Sequence, residues 1–171
     1  MTQIPNPILS RDFRIPFNRI RAEHVEPGII KALQEAQADI DQITSDTSEP
    51  TWDNTVGCLE LIGGRLSERI APPTHLVSVS ETPELREAYN AVLPEISAFW
   101  SSLPLNGPLW ERVKAYAESE EAAQLIGVKR RHLQKTVQDF IRAGADLEED
   151  KKKELMALKI ELAQLEQAFS E

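Results

Sequence analysis

Between residues 25 and 43 the apolar side chains fall at Val25, Ile29, Leu33, Ala36, Ile40 and Ile43, in steps of 4, 4, 3, 4 and 3. That spacing puts all six on one stripe of an α-helix, whereas the two-residue period of a strand would scatter them over both faces. The pattern recurs down the chain. Trp52, Val56, Leu59, Ile62, Leu66 and Ile70 form a second stripe. Leu85, Tyr89, Val92, Ile96, Phe99 and Leu103 form a third, and Leu109, Val113 and Tyr116 a shorter one widened by Trp110 and Ala117. Leu133, Val137, Phe140 and Ile141 follow, and then Leu155, Leu158, Leu162, Leu165 and Phe169 in heptad steps. A helix with one apolar stripe has to lay it against other helices. The pattern predicts an all-α fold, an antiparallel array of about six or seven helices.

Proline and glycine punctuate these stripes. Pro5, Pro7 and Pro16 predict that residues 1–21 form an extended arm packed on the body, with 22–171 as one helical domain. In "RAEHVEPGII", Glu26 is expected near the N-cap of the first helix and Pro27 in its first turn. "SDTSEP" reads as a loop, Thr51 as the next cap, and Pro72 with Pro73 as that helix's end, leaving "THLVSV" a turn or two of its own. Thr82 caps a helix with Pro83 at its first position, and Pro94 predicts a kink where the carbonyl of Asn90 loses its donor. Gly144 stops a helix, and Asp146 with Glu149 has capping-box spacing. Gly63 and Gly64 interrupt the second stripe. Close approach of a neighbouring helix explains them better than a hinge.

Bulk properties exclude several functions. A chain of 171 residues makes one domain with a real core. Its net charge of −9 disfavours a nucleic-acid partner. No apolar run reaches the ~20 residues of a membrane span, and the N-terminus lacks the basic start and apolar core of a secretory signal. Cys58 is the single cysteine, so no internal disulfide forms, which fits a reducing, cytoplasmic location.

Candidate chemistry is sparse. His24, Val25 and Glu26 bring a histidine and a glutamate together, but a zinc helix needs a second histidine four residues on, and position 28 is Gly28. His75 and His132 lie far from His24, each with no serine or cysteine nucleophile in a recognisable motif. Cys58 sits at a stripe edge as an inert, partly buried thiol. Trp52, Trp100, Trp110, Tyr89 and Tyr116 fall at or beside stripe positions, as core residues do. Lys129, Arg130, Arg131, His132 and Lys135 form the one basic run. Gripping an anion is one reading, and a solvated face paired with acidic neighbours is the stronger one. No residue is assigned a catalytic, cofactor-binding or metal-binding role.

Four runs carry a resemblance: "NPILSRDFRIPFNRIRAEHVEPGIIKAL", "EPTWDNTV", "TPELREAYNAVLPEISAFW" and "RRHLQKTVQDFIRAGADL". They resemble the N-terminal region of the oligopeptidase A branch of the thimet oligopeptidase family of zinc metallopeptidases, from about Asn6 to Glu171. The resemblance implies a helical wall of a peptide channel in an enzyme that cleaves short peptides. The zinc and its HExxH motif would lie on a catalytic segment of the same or a separate chain, so this chain is expected to be inactive alone and to hold no cofactor. The ending "LEQAFSE" stops inside a helix without a capping signal, as expected of a piece of a longer enzyme, an excised domain or half of a split one. Expected partners are that catalytic segment and short oligopeptides. The alternative is a stand-alone helical scaffold dimerising through the apolar seam of its last helix. A small enzyme using His75 or His132 is a weaker third reading.

Overall fold

A computed structural model describes residues 6–10, 13–80 and 82–170, so Ile4 of the arm and Glu171 lie outside the described residues. Seven α-helices follow in order, and no strand occurs among the described residues. They are α1 (Ala22–Ser45), α2 (Val56–Val79), α3 (Pro83–Ser102), α4 (Gly107–Ala117), α5 (Glu120–Ala123), α6 (Gly127–Ala143) and α7 (Glu149–Ser170). The all-α expectation stands.

The core forms around α1, which packs against α2 and α3. All six stripe residues from Val25 to Ile43 are buried, at about 1.5–3 kcal/mol each for the larger ones. From α3 come Leu85, Val92, Ile96 and Phe99, and from α4 Leu109, Trp110 and Val113. Ion pairs stitch the wet side of α1 to α2: Arg65 to Asp39 at 3.0 Å, and Arg69 to Glu35.

Several boundaries differ from expectation. The arm is not simply extended: Pro7–Leu9 and Phe17–Arg19 each form one turn of 3₁₀ helix, and Ile8 and Ile20 are buried in the core. Helix α1 starts at Ala22, so Pro27 lies inside it and Glu26 is past its first turn. The start is fixed by His24, whose Nδ1 accepts the Arg21 N–H at 3.0 Å, as an N3 Glu or Gln would in a capping box. Gly28 then admits the arm. A β-carbon there would lie 2.9 Å from Asn6 Nδ2 and 3.0 Å from Ile8 Cβ, and that Nδ2 donates to the His24 carbonyl at 2.8 Å.

Thr51 caps a turn, not a helix. Residues 52–55 turn before α2, held by Asn54, whose Oδ1 accepts the Thr51 N–H at 2.7 Å. Nor do Pro72 and Pro73 end α2, which runs on to Val79 and absorbs residues 74–79. Both proline rings are buried, Leu76 and Val77 pack on the core beyond them, and Thr74 Oγ1 donates to the Ile70 carbonyl at 2.8 Å. Packing here outweighs two missing backbone donors. Thr82 does cap α3, its Oγ1 accepting the Leu85 N–H at 3.2 Å, and α3 continues through Pro94. Leu103 belongs to a separate 3₁₀ turn, Leu103–Leu105. Gly144 ends α6 at φ 104°, a left-handed conformation that suits glycine. Helix α7 starts at Glu149, three residues past Asp146, whose Oδ1 instead accepts the indole N–H of Trp110 at 2.9 Å.

Tyr116 centres a second, smaller cluster with Val56, Ala122 and Leu133. The one-turn helix α5, which no stripe announced, supplies Glu121. Its Oε1 accepts the Tyr116 hydroxyl at 3.3 Å and the Trp52 N–H at 3.2 Å. Burial first, and the Glu121 charge second, push the phenol up to about 12. The neutral phenol is therefore favoured by the fold. Its stabilisation is whole below the unfolded tyrosine value of about 10 and is lost as pH climbs toward the folded value. Thermal unfolding followed between those limits should show a fall in Tm that Tyr116→Phe flattens.

Candidate functional site

Helix α2 exposes a face with two depressions, divided by the half-exposed indole of Trp100 on α3. A β-carbon at Gly63 would stand 3.7 Å from the nearest carbon of that indole, an ordinary van der Waals contact. The neighbour is thus a side chain rather than a helix backbone. Gly64 faces open space, and α2 is continuous through both glycines.

The first depression, about 480 Å³, lies between α2, the Leu103–Leu105 turn and α6. Phe99, Leu103 and Phe140 line it with apolar surface, and Glu60, His132 and Asp139 add polar groups. His132 Nε2 is 3.5 Å from Glu60 Oε2, and its ring stands edge-on to Trp52 at 5.8 Å. The second, about 490 Å³ and shallower, is lined by Ile70, Ala71, Thr74, His75 and Ser78. Phe17 of the arm tilts against His75 at 5.7 Å.

The three histidines therefore sit apart. His24 caps α1, His75 meets Phe17, and His132 bridges toward α2. Among the described residues no serine or cysteine is hydrogen-bonded to His75 or His132, and no three of His, Cys, Asp and Glu group to hold a metal ion. A zinc ion does not fit these residues. Cys58 is half-buried, and burial is the main cause that raises its thiol above the ordinary value, an unreactive setting.

The aromatic residues divide. Trp110 and Tyr116 are core, and Tyr89 packs against it, with its hydroxyl 2.9 Å from Thr74 Oγ1. Trp100, expected in the core, is instead a surface ridge, because it follows the buried stripe position Phe99 by one residue and so turns away from α1. The basic run is solvent-exposed on α6, but it is not paired as expected. Lys129 lies over the Trp52 ring at 4.9 Å, while Arg130, Arg131 and Lys135 form no ion pair with any described residue.

Exposed apolar surface is concentrated on α7, where Leu158, Leu162, Leu165 and Phe169 are each more than half exposed. The helix is anchored at its start, against α3 and the Gly144 turn, where Leu155 reaches the glycine. No described helix is long and apolar enough to cross a membrane.

Residues 29–152 match the family model for the N-terminal domain of neurolysin/thimet oligopeptidase. A probable cytosolic oligopeptidase A of Arabidopsis thaliana is 35% identical over 97% of this chain and 24% of its own length. Oligopeptidase A of Escherichia coli is 27% identical over 96% of this chain and 24% of its own. A dipeptidyl carboxypeptidase of the same bacterium is 28% identical over 91% and 23%. The chain thus spans about a quarter of the length of the curated relatives it matches. The match covers the helices from α1 to the start of α7, the elements that build the core and both depressions. By these helices the chain belongs to the neurolysin/thimet oligopeptidase family, as its N-terminal domain.

Proposed function

We propose that this domain is a non-catalytic wall of a peptide chamber in a zinc-dependent oligopeptidase. Helices α2, α3 and α6 would present a rigid, mostly apolar surface to short unfolded peptides and exclude folded ones. One observation carries the reading: a peptidase-family helical domain holds three histidines that serve capping and packing, and among the described residues no metal-binding group forms around them. Hydrolysis would belong to a catalytic segment that brings its own metal site. The exposed leucines of α7 would lie against that segment, since apolar surface of this extent is usually covered. The reading includes a cytoplasmic location, supported by the unpaired Cys58 and by a cytosolic relative.

The test is cleavage of a short fluorogenic peptide by the 171-residue chain, alone and mixed with a catalytic segment from a family member. No turnover alone and gain of turnover on mixing are expected. Turnover by the chain alone, with stoichiometric zinc, would overturn the reading. A second reading, a scaffold that self-associates through α7, rests on the same exposed leucines and is favoured if mixing yields neither binding nor activity.

A further inference from the structure

The depression between α2, the Leu103–Leu105 turn and α6 is sorted by depth. Its floor is apolar and buried: Ile62, Phe99 and Phe140 are each less than a tenth exposed. Its rim is charged and wet. Glu60 of α2 and Asp139 of α6 stand there with side chains that are each 67% exposed. Helical spacing brings these groups together. His132, Thr136 and Asp139 fall in steps of 4 and 3 on the face that α6 turns to the pocket, and Glu60 and Gly63 are three apart on α2. No lysine or arginine lines the pocket, and His132 is the one lining residue able to carry a positive charge.

The two carboxylates have only loose neighbours. His132 Nε2 is 3.5 Å from Glu60, and Arg142, itself on the exposed surface of the same helix, is 3.7 Å from Asp139. A close charge-assisted hydrogen bond is shorter, roughly 2.7–2.9 Å. Each carboxylate therefore keeps acceptor capacity toward a cation at the mouth. The α2 wall is left bare at Gly63, and the volume of about 480 Å³ holds one large side chain with the start of its backbone.

We infer that the pocket takes the N-terminal residue of a short peptide, with a large apolar side chain on the floor and the α-ammonium group at Glu60 and Asp139. The order of floor and rim selects this occupant. A lysine or arginine side chain carries its charge at the far end of its stem, and entering it would strip that charge of water against Phe99 and Phe140. An apolar residue inside a peptide has a neutral amide where the rim offers carboxylates. Only at the N-terminus do an apolar side chain and a cation belong to one residue, with the cation at the root of the side chain. The same acidic rim repels a peptide's C-terminal carboxylate, so the pocket also sets chain direction. The inference rests on the proposed peptide-chamber role and names the part of the peptide that this wall recognises.

Titration of the nitrogen-15-labelled 171-residue chain with C-terminally amidated tetrapeptides tests it, read at the Trp100 indole N–H beside the pocket. A peptide that begins with Phe and has a free amine should bind and shift that signal. N-acetylation, or Ala in place of the first Phe, should each raise Kd by at least about tenfold, and a peptide that begins with Lys should bind no better than the Ala peptide. Glu60→Gln with Asp139→Asn should bring the free-amine Phe peptide to the Kd of its acetylated form. Gly63→Leu, which fills the pocket from the bare wall, should abolish binding, with circular dichroism confirming that both variants keep their helices. Absence of binding at millimolar peptide overturns the inference. So do equal Kd values for the free and acetylated peptides, tighter binding of the Lys peptide, or binding indifferent to the carboxylate pair or to Gly63→Leu. The peptide-chamber role fails separately, in the cleavage test with a catalytic segment, which does not read this pocket.

Discussion

Replacing Trp110 with alanine is expected to destabilise the domain by about 3–5 kcal/mol, the usual range for a buried tryptophan. The reason is its place between elements. Trp110 stands on α4, nearly parallel to Phe140 of α6 at 5.8 Å between ring centres, and its indole N–H reaches Asp146 in the turn before α7. One side chain thus ties three parts of the fold together. Trp110→Phe separates the two contributions. It keeps most of the apolar contact and gives up the hydrogen bond, so a loss of about 1 kcal/mol is expected. For a chain of this size each kcal/mol moves Tm by roughly 2–4 °C, so the alanine variant should unfold some ten degrees or more below the parent. Urea denaturation of both variants checks the order. Equal losses would show that the hydrogen bond to Asp146, and not ring packing, is the dominant part.

The same residue shows where the sequence could be read and where it could not. Trp110 beside the Leu109, Val113, Tyr116 stripe was legible as core, because period alone places it on the buried face. Its partner was not. Asp146 was read as a capping group from its spacing to Glu149, yet tertiary contact gives its carboxylate to an indole instead. The boundary errors share that cause. Local rules stop a helix at Pro72–Pro73, but burial of both rings carries α2 two turns further. Local rules start α1 near Glu26, but a histidine that accepts the Arg21 N–H moves the start to Ala22. Helix α5 is four residues long and shows no period at all.

The surface was less legible than the core for a related reason. Burial imposes a repeat on sequence, whereas a groove needs two elements to meet, and no single stripe records that. Gly63 was noticed and Trp100 was noticed, but only the fold brings one against the other. The basic run on α6 was assigned internal partners that most of it does not have. The family resemblance was readable because its runs turn out to be structural. "EPTWDNTV" is the Asn54-held turn that enters α2, and "RRHLQKTV" is the outward face of α6 with Leu133 behind it.

Arg112→Met is expected to cost about 2–4 kcal/mol, although the replacement matches the stem in length and remains apolar. Arg112 is buried on α4, and its guanidinium closes the loop that follows α1. Nη1 donates to the carbonyls of Asp46 at 2.6 Å and Ser48 at 3.1 Å, and Nη2 donates to the Asp46 carboxylate at 2.8 Å. Asp46 is the C-cap residue of α1, so the cation also sits at the negative end of that helix. Arg112→Lys should recover only part of the loss, since one ammonium cannot reproduce a planar fork. The pH dependence distinguishes the contacts. Hydrogen bonds from the Ser48 N–H and hydroxyl, with the Arg112 charge as a smaller cause, hold the Asp46 carboxyl below its ordinary value. A depressed carboxylate contributes stability above its unfolded pKa and loses it as pH falls through the folded one. The gap between parent and Arg112→Met should therefore narrow on acidification below about pH 4, as Asp46 takes up its proton. It should not close, because the two carbonyls do not titrate. Chemical denaturation at neutral and acidic pH measures both gaps, and complete closure would show that the carboxylate carried the whole contact.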